Sequence, residues 1–294
     1  MKIGVYGQFY NEHSENYIQF ILDALQNYNA EVCIEANFLE IIKSHQGISD
    51  DFSDLPTFTS LDASYDFFFS IGGDGTILKS VTFVRDLGIP IVGINSGRLG
   101  FLATIQKEKI TESIQNILQR NFSVSERSLL SIETSPENSQ LQPLNFALNE
   151  IAVNRKNTTS MIKVETFVNG EYLTSYWSDG LIVATPTGST GYSLSCGGPV
   201  IDPSTNSLVI TPIAPHNLNA RPLVIPDDCV ITLKVSGREE NYLVSLDSRI
   251  ATLENETVIT IKKSPFTIKL VQLLDDSFVK TLREKLLWGE DKRN

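Results

Sequence analysis

Residues 66–76 read DFFFSIGGDGT, and this stretch indicates how the first half of the chain folds. The apolar run Asp66–Ile71 predicts a buried strand, and the glycine-rich turn Gly72–Gly75 ends it. A helix should follow, because residues 76–87 return to helical spacing through Ile77, Leu78, Val81 and Val84. A strand, a tight turn and a helix in succession favour a parallel sheet with helices packed on it.

The same alternation extends to both sides of this stretch. Further strands are predicted at Lys2–Tyr6, Glu31–Glu35 and Ile89–Ile94, and helices at residues 15–28 and 38–42. Residues 46–64 are polar and are predicted to form a loop. We therefore expect an α/β domain over residues 1–125.

After residue 125 the pattern changes to short strands. The predicted strands are Phe146–Val153, Lys163–Val168, Glu171–Tyr176, Leu208–Pro212, Val230–Val235, Tyr242–Leu246, Thr257–Lys262 and Thr267–Leu273. Asn169-Gly170 is a strong signal for a type I′ hairpin turn. These features predict a β-rich, sandwich-like domain over residues 126–274. Residues 275–294 should form a C-terminal helix that packs back on the first domain.

The composition disfavours several classes of protein, among them nucleic-acid-binding, zinc-stabilised and membrane-spanning proteins. The 294 residues carry a net charge of −11, which disfavours nucleic acid as a partner because its phosphates are bound by Lys and Arg. Three scattered cysteines, with no C-x-x-C, suit a reducing compartment and argue against structural zinc. We expect neither a signal peptide nor a membrane span, and hence a cytoplasmic protein.

The loop Gly72-Gly73-Asp74-Gly75-Thr76 is the first candidate site. Glycines let a backbone approach a ligand closely, and the N-terminus of the following helix would stabilise a phosphate. Asp74 would repel a polyphosphate unless it accepts a proton from a nucleophile or helps to hold a metal ion. A tight turn with an N-cap aspartate is the structural alternative.

Two further stretches carry polar groups in unusual settings. Residues 179–203 are dense in Gly, Ser and Thr, and could hold ribose hydroxyls and phosphates or form a long surface linker. Asn149-Glu150 interrupts the apolar run Phe146–Val153, and either binds a ribose diol or lies on a solvent-facing edge.

Read together, these motifs resemble the bacterial NAD kinase family. The similar segments are GGDGT at 72–76, GINSGRLGFLAT at 93–104, LNE at 148–150, ATPTGSTGYSLSCGGPV at 184–200, TPIAPHNLNARPLVIP at 211–226 and SFVKTLREKLLWG at 277–289. The GGDGT loop alone is less specific, since diacylglycerol-type lipid kinases share it. A lipid kinase is therefore the alternative, and a non-catalytic dinucleotide sensor is a third possibility.

The resemblance implies transfer of the γ-phosphoryl group of ATP to the 2′-hydroxyl of the adenosine ribose of NAD, in a cleft between the two domains. Asp74 would be the general base, and the donor phosphates would lie near Gly72, Gly73, Gly75, Thr76 and Arg98. The implied NAD-binding residues are Asp74, Gly75, Phe101, Asn149, Glu150, Asp179, Thr187, Thr190, Gly191, Tyr192 and Ser195. A divalent cation, Mg²⁺, would be held mostly by phosphate and water, and the family tends to form homodimers or homotetramers.

The chain departs from the family pattern at three places. Gly191 stands where the family often has Ala, and Asp247-Ser248-Arg249 stands where many members have Asp-Gly-Gln. Trp177 occupies a position that is often basic. The change at Gly191 should be mild, since Gly and Ala both keep the backbone close to a ligand. The turn at 247–249 and its contacts are not carried over from the family, and a positive charge that would lie at position 177 must come from elsewhere, with Arg98 as the candidate.

Overall fold

The computed structural model describes residues 1–8, 14–44, 52, 54–97, 99–157 and 160–288, with backbone alone for residues 14–17 and 107. The chain forms two compact units. The first comprises residues 1–126 and 268–294, and the second residues 127–267.

The first unit is built on a parallel sheet. Its strands are β1 (Lys2–Gly7), β2 (Glu31–Glu35), β3 (Thr57–Phe58), β4 (Phe67–Gly72) and β5 (Ile91–Asn95). They pair in the order β5-β4-β1-β2-β3, and every pairing is parallel. Strand β4 lies inside the sheet, and Phe67, Phe68 and Phe69 are completely buried. An unbroken apolar run is what a strand covered on both faces requires, so the turn that follows β4 is anchored on the core of the unit.

Helices complete the first unit. They are α1 (Ser14–Asn27), α2 (Ala36–Ser44), α3 (Asp74–Val84), α4 (Ile110–Leu118) and, after α5 (Tyr192–Ser195) of the second unit, α6 (Phe278–Leu286). Helix α1 buries Ile18, Ile21, Leu22 and Leu25, the stripe that its spacing predicts. The C-terminal helix α6 belongs to this unit as expected, and the hydroxyl of Ser277 caps it by accepting the N–H of Lys280 at 3.2 Å.

The second unit is a β-sandwich. Its strands are β6 (Phe122–Ser135), β7 (Phe146–Ala147), β8 (Glu150–Arg155), β9 (Ile162–Val168), β10 (Glu171–Ser178), β11 (Gly180–Ala184), β12 (Ser207–Ile213), β13 (Leu223–Pro226), β14 (Ile231–Gly237), β15 (Asn241–Leu246), β16 (Arg249–Glu254) and β17 (Val258–Leu273). The first five residues of β6 and the last six of β17 belong to the first unit. One antiparallel sheet has the order β13-β12-β11-β8-β15-β16. Strands β10, β9, β14 and the first part of β17 form the other antiparallel layer.

The two layers share an apolar core. Val153 and Leu181 of the first sheet belong to the same buried cluster as Val164 and Leu233 of the second layer. Strands β9, β14 and β15 alternate buried and accessible residues, as strands with one covered face do. Asn169 and Gly170 both have positive φ, of 52° and 81°, and join β9 to β10 as the predicted hairpin turn. The predicted fold class is confirmed in both units.

Several element predictions need correction. The predicted strand Phe146–Val153 is broken at Leu148 and Asn149, so Glu150 begins β8 and does not lie in mid-strand. The two strands predicted at 257–262 and 267–273 form one continuous strand, because Pro265 does not end β17. Strand β3 lies within residues 46–64, which were predicted to form a loop. Helices α4 and α5 and strands β6, β13 and β16 were not predicted, although Ile110, Ile114 and Ile117 give α4 a helical stripe.

Candidate functional site

The glycine-rich turn joins β4 to α3, and its glycines serve different purposes. Gly72 has φ +155°, and a Cβ atom there would lie 2.1 Å from Oγ1 of Thr76. Thr76 is fully buried, and its hydroxyl donates to Oε1 of Gln8 at 3.3 Å. Cβ atoms on Gly73 or Gly75 would meet no atom within 4 Å. Gly72 is thus needed for packing, whereas Gly73 and Gly75 leave open space beside the start of α3.

Asp74 is the first residue of α3, and Gly73 is its N-cap, so Asp74 is not the N-cap that the structural alternative required. Its carboxylate accepts three consecutive backbone N–H groups from a loop that follows β5. Phe101 donates to Oδ2 at 2.8 Å, while Leu102 and Ala103 donate to Oδ1 at 2.9 and 3.1 Å. This donor set matches an ionised carboxylate, which can only accept, and fixes its orientation.

Sequence reasoning missed the loop around Asp74. Phe101 was predicted to pack by the dinucleotide, and the structure adds that its N–H group donates to Asp74. A Cβ atom on Gly100 would lie 2.0 Å from Oδ1 of Asp74, so any other residue there would displace the carboxylate. Backbone donors have no side-chain signature, so the motif GINSGRLGFLAT does not predict that its N–H groups bond Asp74. Arg98, the predicted donor-phosphate residue, lies outside the described residues.

Asn149 and Glu150 lie where β8 begins, between β11 and β15. The alternative of a solvent-facing edge is wrong for Glu150, which is 8% exposed on an interior strand. Among the described residues, Oδ1 of Asn149 and Oε2 of Glu150 are buried atoms without a hydrogen-bond partner. Buried polar atoms are costly unless they are paired, so this pair is suited to a polar ligand.

Burial and charge both act on Glu150. The pKa of Glu150 is raised to about 8, first by burial and then by the nearby Asp247 carboxylate, while the backbone N–H of Tyr192 opposes the shift. Near neutral pH the carboxyl group is then protonated and can donate one hydrogen bond as well as accept others. Asp247 was not among the predicted site residues.

The Gly/Ser/Thr segment packs against Asn149 and Glu150. Thr185 donates from Oγ1 to the carbonyl of Leu148 at 2.6 Å and from its N–H group to the carbonyl of Asn149 at 2.9 Å. A Cβ atom on Gly188 would lie 2.1 Å from the Asn149 carbonyl oxygen, and one on Gly191 would lie 3.2 Å from Oε2 of Glu150. The segment is therefore part of the fold, and the linker alternative is wrong.

Many hydroxyl groups of this segment are used internally, contrary to the expectation that they serve a ligand. Ser189 is completely buried and bonds Pro186 and Ile201, and Ser193 bonds Thr211 at 2.8 Å. Thr187 is also buried, and its Oγ1 accepts from Nη1 of Arg127 at 3.4 Å.

The remaining predicted residues of this segment are more accessible. Thr190 is partly buried, Ser195 is exposed, and Tyr192 is 41% exposed. The pKa of Tyr192 is raised, first by burial and then by the charges of Cys196, Asp179 and Glu150. Oδ2 of Asp179 lies 2.8 Å from Nη2 of Arg155. The second unit thus brings Asn149, Glu150, Gly191 and Tyr192 together, with Asp179 within electrostatic reach.

No group of three or more His, Cys, Asp or Glu residues in the described part of the chain could hold a metal ion. No helix among the described residues is long and apolar enough to cross a membrane.

Family models cover both units. The ATP-NAD kinase N-terminal domain matches residues 11–122, and the ATP-NAD kinase C-terminal domain matches residues 148–273. This chain belongs to the NAD kinase family. Because the C-terminal match contains Asn149, Glu150 and the Gly/Ser/Thr segment, membership does not rest on the shared GGDGT loop.

Individual NAD kinases agree with this assignment. The NAD kinase of Christiangramia forsetii is 62% identical over 294 residues, covering 100% of both chains. The Archaeoglobus fulgidus NAD kinase, solved in complex with ATP, is 28% identical with a TM-score of 0.75, covering 98% of this chain and 99% of that chain. Yeast NADH kinase, solved in complex with NADH, shares the fold with a TM-score of 0.83 at 22% identity, covering 99% of this chain and 88% of that chain. The predicted NAD kinase activity is confirmed at the level of the family, and the lipid kinase alternative finds no support.

Proposed function

We propose that the chain transfers the γ-phosphoryl group of ATP to the 2′-hydroxyl of the adenosine ribose of NAD, with Asp74 as the proton acceptor. The observation that carries the proposal is the Asp74 carboxylate, held by three backbone N–H groups at the first residue of α3. An ionised, oriented carboxylate is suited to accept a hydroxyl proton. Phosphoryl transfer otherwise needs positioning and charge stabilisation more than covalent chemistry.

The donor phosphates are assigned to the turn around Asp74. The open space beside Gly73 and Gly75 lets a phosphate approach the N-terminal N–H groups of α3. Gly72 and the buried Thr76 pack against each other and so hold the turn in its conformation. Arg98 is retained in the proposal as a phosphate-binding residue on the strength of the sequence alone.

NAD is assigned to the polar groups of the second unit. The unpartnered atoms of Asn149 and Glu150 can bond the ribose hydroxyls, since a protonated carboxyl and an amide each offer a donor and an acceptor. Tyr192 offers an accessible ring, and Asp179 is assigned to the nicotinamide end. Phe101, Thr187, Thr190, Gly191 and Ser195 complete the proposed NAD-binding set.

A Mg²⁺ ion is proposed to accompany ATP. Mg²⁺ prefers oxygen ligands and keeps several waters, so donor phosphates and water would form most of its shell. The donor set around Asp74 fits that arrangement, because both carboxylate oxygens already accept N–H groups. When bound, the ion would neutralise charge on the phosphates during transfer.

The proposal also covers the cellular compartment and the oligomeric state of the enzyme. A cytoplasmic enzyme is supported by Cys33, Cys196 and Cys229, which are all free thiols. A homodimer or homotetramer that acts on small molecules, without nucleic acid or membrane, is retained from the resemblance.

Replacing Asp74 tests the proposed reaction. We expect Asp74→Asn to reduce NADP formation from ATP and NAD by roughly 10²–10⁴-fold, the usual contribution of a general base. Asp86→Asn, an exposed carboxylate beyond the end of α3, is the matched control and should keep wild-type turnover. Both variants should remain folded in a thermal unfolding experiment, although Asp74→Asn loses part of its hydrogen bonding to residues 101–103 and should unfold at a lower temperature. Wild-type turnover in a folded Asp74→Asn protein would refute the role of Asp74.

A further inference from the structure

Asp247 lies in the turn between β15 and β16, and its side chain is 4% exposed. Its carboxylate accepts three consecutive backbone N–H groups. Oδ2 accepts from Leu148 at 3.0 Å, and Oδ1 accepts from Asn149 at 2.8 Å and Glu150 at 3.2 Å. The N–H of Asp247 in turn donates to the carbonyl of Glu150 at 3.0 Å. A buried carboxylate with this donor set fixes the backbone of residues 148–150, because charge-assisted hydrogen bonds are stronger than neutral ones.

The backbone that Asp247 holds carries two side chains that each have one unpartnered buried atom. Oδ1 of Asn149 and Oε2 of Glu150 are two of the four buried side-chain atoms that lack a hydrogen-bond partner in the described part of the chain, and the other two are serine hydroxyls elsewhere. The chain breaks its strand at Leu148 and Asn149, so strand pairing does not fix their backbone directly. Instead, the Asp247 carboxylate accepts the N–H groups of Leu148 and Asn149, and Thr185 donates to the carbonyls of the same two residues.

Arg249 bonds the backbone of the residues that precede the strand break at Leu148 and Asn149. Its guanidinium donates to the carbonyl of Leu144 at 2.6 Å and to the carbonyl of Phe146, and it lies 5.3 Å from the centre of the Phe146 ring. Nη2 of Arg249 is also 4.0 Å from Oδ2 of Asp247. The segment in which this chain departs from the Asp-Gly-Gln pattern therefore holds residues 144–150 through two side chains.

We propose that Asp247 is a positioning residue for NAD binding, which fixes the backbone of Leu148–Glu150 so that Asn149 and Glu150 present their free polar atoms to the dinucleotide. Asp247 itself has no solvent-facing oxygen to offer a ligand, because its side chain is buried under the segment that it holds. Its effect is therefore on affinity for NAD and not on ATP, whose proposed site is the turn around Asp74. The inference rests on the proposed binding of NAD at Asn149 and Glu150.

Calorimetric titration of the purified full-length protein tests this role with NAD and ATP separately, well below the unfolding temperature. We expect Asp247→Asn to raise the Kd for NAD at least about tenfold, since the amide cannot accept three N–H groups, and to change the Kd for ATP by less than about twofold. The control is Asp227→Asn, which removes another well-buried carboxylate of the second unit, paired with Lys263 at 2.5 Å. It should leave the Kd for NAD within about twofold of the wild-type value.

A folded Asp247→Asn protein with wild-type affinity for NAD would overturn the inference, as would an equal loss in Asp227→Asn. If Asp247→Asn does not fold, amide hydrogen exchange on the wild-type protein decides. The amides of Leu148, Asn149 and Glu150 should exchange as slowly as those of Ile151 and Val153 inside β8, and rapid exchange at all three would show that Asp247 does not hold this backbone. Wild-type protein that fails to bind NAD at all would overturn the proposed function itself, which the wild-type titration reveals before any variant is compared.

Discussion

Gly100 and Asp74 are packed so closely that a Cβ atom on Gly100 would lie 2.0 Å from Oδ1 of Asp74 and 2.6 Å from its Cγ. The glycine belongs to the loop whose next three N–H groups bond the same carboxylate. The orientation of Asp74 therefore depends on the absence of a side chain 26 positions later in the chain.

Gly100→Ala should misplace Asp74. We expect kcat to fall by about 10²-fold, because a shift of roughly 1 Å in a catalytic group can cost that much. Steady-state kinetics with ATP and NAD measures the effect. Gly237→Ala is the matched control, since its Cβ would lie 3.3 Å from a methyl group of Ile162. A wild-type kcat for Gly100→Ala would mean that Asp74 tolerates displacement.

Two glycines of one segment should respond differently to the same substitution. A Cβ atom on Gly188 would lie 2.1 Å from a backbone oxygen, whereas one on Gly191 would lie 3.2 Å from the end of the Glu150 side chain, which can shift. We expect Gly188→Ala to lower the free energy of unfolding by about 2 kcal/mol or more, and Gly191→Ala by less than about 1 kcal/mol. Urea unfolding of both variants tests this, and equal losses would contradict it.

The stability of the protein should depend on pH through Glu150. Its pKa is about 8 in the folded state against an ordinary value of 4.5, mainly because of burial. Between those values the folded protein binds more protons than the unfolded chain, so this group lowers stability as pH rises from about 4.5 to about 8. Each pKa unit corresponds to about 1.4 kcal/mol.

Glu150→Gln removes that dependence. At pH 8.5 the variant should be more stable than the wild type by on the order of a few kcal/mol, and the difference should shrink towards pH 5. Denaturant unfolding at a series of pH values measures it. Glu171→Gln, at an exposed position, is the control and should leave the pH profile unchanged. A constant difference between Glu150→Gln and wild type at all pH values would argue against a protonated Glu150.

Arg155 should influence NAD binding through Asp179, with which it pairs at 2.8 Å. Because both side chains are partly exposed, the pair is worth about 0.2–1 kcal/mol. We expect Arg155→Met to raise the KM for NAD by roughly twofold to fivefold with little change in kcat. Lys262→Met breaks another accessible ion pair, with Glu133 at 2.6 Å, and should leave the KM for NAD unchanged. An unchanged KM in Arg155→Met would argue against a role for Asp179 in binding NAD.

Much of the fold was predictable because its signals are local. The stripe of Ile18, Ile21, Leu22 and Leu25 marks α1, and Asn169-Gly170 marks the hairpin between β9 and β10. The break at Leu148 and Asn149 was not predictable, because the apolar run continues through it and only the bonds from Asp247 and Thr185 explain it.

The sequence by itself determined the strand–turn–helix unit at residues 66–87, the sandwich character of the second unit, and the family. These features depend on residue spacing, turn chemistry and motifs within short windows of chain. The tertiary structure alone decided what surrounds the reactive groups. Asp74 takes its donors from residues 27–29 positions later, and Asn149 takes its support from a carboxylate 98 positions away. Backbone N–H groups are the same for every residue except proline, so only folding determines which of them meet a carboxylate.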